Sequence, residues 1–168
     1  MKAYLLALEI NQVNIGKVYT GLPLHCTLIH WFWVDELSDL LIQIQSLVQS
    51  REAPKLLIED EEQFTGITKD GPIAVRVNKV KTTPEIISLH EDVASLLEAN
   101  GVTYSMPQYI HNGYVPHVTH QESSRVHEGE VTPVRSLYLA DADAPEYGNE
   151  RQIIHKFSFK HGLNVDAA

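Results

Sequence analysis

Apolar positions along this chain follow two periods, and the switches between them divide it into strands and helices. Tyr4 to Ile10 and His25 to Trp33 are short apolar runs with aromatic and β-branched side chains, which predicts strands. Leu37, Leu40, Leu41, Ile44, Leu47 and Val48 then recur at three- and four-residue spacing, which predicts an amphipathic helix capped by Asp35 and running to about Ser50. Pro54 breaks it. Lys55 to Glu59, Gln63 to Thr68 and Ile73 to Val80 return to strand-like composition, and the turn sequence Lys69-Asp70-Gly71-Pro72 joins the last two as a hairpin.

Thr83-Pro84 opens a second helix, with a capping hydroxyl ahead of a proline suited to the first helical position. Ile86, Leu89, Val93, Leu96 and Leu97 form its apolar stripe, and Asn100-Gly101 supplies a left-handed stop. Tyr104 to Pro116 has no clear period and reads as a loop. Val134 to Ala140 and Gln152 to Phe159 close the pattern as strands, with the acidic stretch Asp141 to Glu150 between them as a solvated loop. The order suits an α+β fold of two similar lobes, each an antiparallel-rich sheet backed by one helix, with a groove between them. At 168 residues the simplest organisation is a single domain over 1–168.

Composition narrows the function. With 43% hydrophobic and 21% charged residues the chain is ordinary globular material. No apolar run approaches the roughly 18 to 20 residues of a membrane span, and Glu9 closes the N-terminal run without a cleavage pattern, so no membrane role and no signal peptide are expected. The single cysteine, Cys26, has no internal disulfide partner, which fits a cytoplasmic setting. A formal charge of −9, from 13 basic and 22 acidic residues, is poorly suited to tracking long nucleic acid. A small nucleotide or an RNA terminus held in a pocket is the better match.

Two tripeptides carry the chemistry: His25-Cys26-Thr27 and His117-Val118-Thr119. In a strand, residues two apart share a face, so each tripeptide presents an imidazole beside a hydroxyl. Brought together, His25 and His117 could exchange protons with the attacking and leaving oxygens of a phosphodiester, while Thr27 and Thr119 hydrogen-bond its non-bridging oxygens. Which histidine is acid and which is base is not readable from sequence.

The two motifs, in the settings Leu24-His25-Cys26-Thr27-Leu28 and Val115-Pro116-His117-Val118-Thr119, resemble the signatures of the two-histidine (2H) phosphoesterases. That family includes the bacterial RNA 2',3'-cyclic phosphodiesterases once named 2'-5' RNA ligases. One departure is visible: the family usually places an apolar residue after each threonine, which Leu28 satisfies and His120 does not. The resemblance implies a bilobal domain with both motifs on the groove floor. It also implies a cyclic phosphate, a 2'-linked phosphodiester or a cyclic oligonucleotide as substrate.

Further candidates surround the motifs. Trp31 and Trp33 share strand parity with His25, where an indole could stack on a base. Tyr109, His111 and Tyr114 lie in the loop before the second motif and are candidate substrate contacts. Arg76 and Lys79, on the predicted hairpin, are candidate phosphate contacts, although solvated side chains are the commoner outcome there. Nine histidines raise the question of a metal, but His117 and His120 would point to opposite faces of a strand, and no ligand set completes a site. No metal or other cofactor is expected. The expectation is a metal-independent phosphodiesterase; the alternative is a non-catalytic nucleotide- or RNA-binding module on the same fold.

Overall fold

The structure is a computed structural model that describes residues 2–68, 70–143 and 150–161. Its strands are β1 (Ala3–Glu9), β2 (Val18–Tyr19), β3 (His25–Trp33), β4 (Lys55–Thr68), β5 (Gly71–Val80), β6 (Thr103–Tyr104), β7 (His117–Thr119), β8 (Val131–Pro133), β9 (Leu137–Ala142) and β10 (Arg151–Phe157). Helix α1 (Ser38–Gln49) follows β3, and α2 (Pro84–Ala99) follows β5. The strands pair antiparallel in the order β2-β10-β9-β1-β3-β7-β5-β4-β8, with β6 added beside β3. The α+β class is as expected, but the strands form one continuous hydrogen-bonded order. No helix is long and apolar enough to cross a membrane among the described residues.

Alternation along β1 shows how the sheet is covered. Leu6 and Leu8 enter a larger core that also takes Leu40, Ile44 and Val48 of α1 and Ile86, Leu89, Val93 and Leu97 of α2. Leu5 and Ala7 point the other way, into a smaller cluster with Val13, Leu22, Tyr138, Ala140 and Ile153. Both helices bury their apolar stripes in the larger core.

Helix α2 follows its sequence signals: the Thr83 hydroxyl accepts from the Ile86 N–H, Pro84 stands in the first turn, and Gly101 takes the left-handed φ of 73° that ends the helix. Helix α1 corrects its predicted cap. It starts at Ser38 with Leu37 as N-cap, because the Ser38 hydroxyl is turned back to the Glu36 carboxylate and Asp35 lies too far upstream to cap the first turn.

Other boundaries also differ. The break predicted between Glu59 and Gln63 is a register shift between Ile58 and Glu61 within one 14-residue strand. β5 pairs with β4 as the predicted hairpin, although Lys69 of its turn lies outside the described residues. Asp141 and Ala142 belong to β9 and are buried, since Asp141 is paired with Lys2 at 2.9 Å; the rest of that acidic stretch through 149 lies, apart from Asp143, outside the described residues. The loop before the second motif contains two short 3-10 turns, Pro107–Tyr109 and His111–Gly113. Gly113 is required there, because a Cβ would fall 1.7 Å from the Gln108 carbonyl oxygen.

Candidate active site

The two motif strands are neighbours, joined at the Cys26–Val118 pair. Both of these side chains are fully buried in the larger core. Their flanking residues therefore point to the opposite face: His25 and Thr27 from β3, His117 and Thr119 from β7. Antiparallel pairing sets each histidine across from the other strand's threonine, with the histidines as diagonal neighbours. Diagonal neighbours stand roughly 7 to 8 Å apart with their Cβ atoms somewhat closer, which puts both rings within reach of one small group.

The imidazoles are oriented alike. His25 Nδ1 lies 2.9 Å from the Pro23 carbonyl, and His117 Nδ1 lies 2.8 Å from the Val115 carbonyl, each two residues upstream. A carbonyl only accepts, so each Nδ1 must carry a hydrogen, and in the neutral ring Nε2 is the free acceptor. Burial lowers the pKa of both rings below the usual histidine value against the raising effect of the carbonyl bonds, and the charge of His117 lowers that of His25 further. Neither threonine hydroxyl bonds another side chain or carbonyl among the described residues.

Neighbouring strands complete the face. Across from His117 on β5 stands Lys79, whose Nζ lies 3.5 Å from Asp60 and 3.9 Å from Glu62; Arg76 is 3.2 Å from Glu61. Both bases are thus engaged by carboxylates of β4. The Phe64 ring packs edge-on against His117 with centroids 4.8 Å apart. Beside His25 on β1 is Glu9, fully buried, which accepts from the Val13 N–H and the Ser136 hydroxyl and pairs with Lys156 at 2.7 Å. The polar His120 is accommodated by a 2.6 Å hydrogen bond to the buried Asn78 amide oxygen.

The remaining candidates divide. Trp31 packs on the smaller cluster with the Arg151 guanidinium 4.8 Å from its ring centroid, and Trp33 ends β3 opposite Thr103. Tyr109 is exposed, its ring centroid 5.6 Å from that of His30. Tyr114 is not open to a substrate: it is buried, stacked on His90 at 4.0 Å, and its hydroxyl donates to the Thr27 carbonyl. His111 is also corrected. Its ring is held by Glu91 and Glu98, 2.6 Å from each nitrogen; carboxylates only accept, so both nitrogens donate, the two contacts raise its pKa, and its backbone N–H donates to His90 Nε2, clasping the loop to α2. These contacts hold His111 at a left-handed φ of 58°.

One residue beside the motifs escapes a sequence reading. His30 is five positions from His25, and strict alternation would send it into the core. The pairing of β1 with β3 has two register shifts, so Leu28 and Ile29 both enter the larger core and His30 emerges on the motif face. Nothing in the letters marks those shifts.

Comparison with known proteins accords with this arrangement. The crystal structure of TT0787 of Thermus thermophilus superposes with a TM-score of 0.55 at 15% identity, over 96% of this chain and 100% of that one, a likeness of fold. No curated protein sequence matches the chain. The family model of the 2'-5' RNA ligase superfamily matches residues 6–134, a segment that contains both His-x-Thr motifs. The chain belongs to the 2'-5' RNA ligase superfamily.

Proposed function

We propose that the protein is a metal-independent phosphodiesterase that opens a cyclic phosphate, or cleaves a 2'-linked phosphodiester, on a nucleotide or RNA end. The observation that carries this reading is the matched pair of imidazoles on adjacent strands, each held through Nδ1 with Nε2 free. Membership of the superfamily supports phosphoesterase or RNA-processing chemistry in general.

One neutral histidine takes a proton from water as its oxygen bonds to phosphorus. The other, protonated once the anionic phosphate lies beside it, delivers a proton to the ribose oxygen as the P–O bond breaks. Thr27 and Thr119 donate to the non-bridging oxygens as their charge grows. With acid and base both supplied by imidazoles, no metal is needed to activate the water.

A screen of 2',3'-cyclic nucleotides, 2'-5' dinucleotides and cyclic dinucleotides, with excess chelator and mass-spectrometric readout, tests the reading. The expected result is a product heavier by one water for a cyclic phosphate, or two fragments for a 2'-linked diester. Absence of product from every substrate overturns it.

A further inference from the structure

We infer that His30 is a substrate-binding residue of this site, a neutral imidazole that hydrogen-bonds the nucleoside attached to the reacting phosphate. The inference rests on the phosphodiesterase reading and extends it to the part of the substrate that is not phosphate.

The backbone of β3 puts the ring there. Ile29 aligns with Leu6 and Phe32 with Tyr4, and all four pack toward the larger core. The two residues between, His30 and Trp31, both turn to the motif face. Trp31 is consumed by the smaller cluster. His30 is not: its ring makes no hydrogen bond to another described residue, although it is only partly exposed, and its one ring neighbour is the exposed Tyr109. Its ring nitrogens still reach solvent, so a polar group of a ligand can take the place of water there.

Its charge state selects the ligand. Burial, together with His117, His25 and His90, pushes the His30 pKa down to about 4, so the ring is neutral at physiological pH. A neutral imidazole offers one donor and one acceptor. That matches a sugar hydroxyl or a base edge and does not match a phosphate anion, which favours a cation or pure donors. His30 also lies three residues beyond Thr27, roughly 10 Å along the strand and away from His25, where the rest of a nucleotide would extend.

Calorimetric titration with inorganic phosphate and with adenosine 2'-monophosphate tests this on the wild type, His30→Ala and His30→Asn, the last keeping a donor and an acceptor. Wild type should bind the nucleotide more tightly than phosphate. His30→Ala should weaken the nucleotide by about fivefold to tenfold, the worth of one hydrogen bond. Phosphate affinity should not change, and His30→Asn should recover part of the loss. Equal weakening of both ligands, or of neither, overturns the role of His30. Failure of the underlying reading looks different: neither ligand would then respond to His25→Ala or His117→Ala.

Discussion

Tyr114 and Thr27, 87 positions apart in the chain, are joined by a 2.8 Å hydrogen bond from the tyrosine hydroxyl to the threonine carbonyl. The bond matters because β3 and β7 share a single registered pair, and Tyr114 stands three residues before His117. It braces one motif strand against the chain that delivers the other. Tyr114→Phe should keep the stack on His90, cost about 1 kcal/mol in urea unfolding, and lower kcat by roughly tenfold to a hundredfold while KM barely moves. The same stability loss with unchanged kcat would remove Tyr114 from the positioning of the site.

The threonines should matter less than the histidines. Thr27→Val and Thr119→Val preserve shape and β-branching but remove the donor that the proposed mechanism gives the phosphate, at an expected cost on the order of 10² to 10³ in kcat. A thermal melt like that of wild type, alongside the lost rate, separates this from misfolding.

The pH profile follows from burial. Both motif histidines have pKa values lowered from the usual value of about 6.5, so under the proposed mechanism kcat/KM, which reports the free protein, should be bell-shaped with its optimum below that value. An anionic substrate favours the imidazolium, so the kcat profile should lie at higher pH. The two limbs belong to the pair, not to either ring. A kcat/KM optimum above pH 8 would contradict the account.

His111 should reveal itself in stability. Its folded pKa is raised by Glu91 and Glu98, so its contribution is fully present below the unfolded value of about 6.5 and is lost as pH rises through the folded pKa. The stability difference between wild type and His111→Gln in urea should be larger at pH 6 than at pH 9. A pH-independent difference would mean that the clasp is not ionic.

Much of this site is legible in the sequence for a simple reason: two-residue periodicity binds each histidine to its threonine, whatever the rest of the fold does. The same rule fails at His30, because the register shifts depend on how β1 and β3 settle against each other. Thr83, Pro84 and Gly101 are read correctly since capping is local chemistry. Asp35 is not, because Ser38 and Glu36 bond each other first. His111 and Tyr114 sit in a segment without period, where only tertiary contacts decide which side chain faces outward. Glu9 ends a strand in the letters, and its burial becomes visible only with Lys156, far along the chain, in place. Lys156→Ala should leave that buried carboxylate without its cation, with only the Val13 N–H and the Ser136 hydroxyl to hold it, at about 3 to 5 kcal/mol in urea unfolding.

Turnover by the histidine variants tests the central claim most directly. On the best substrate found, with chelator present, His25→Ala and His117→Ala should each remove nearly all activity, and the double variant should be little worse than either, because the pair acts as a unit. Near-normal turnover by both single variants would contradict acid–base catalysis by this pair and leave a nucleotide-binding module in its place.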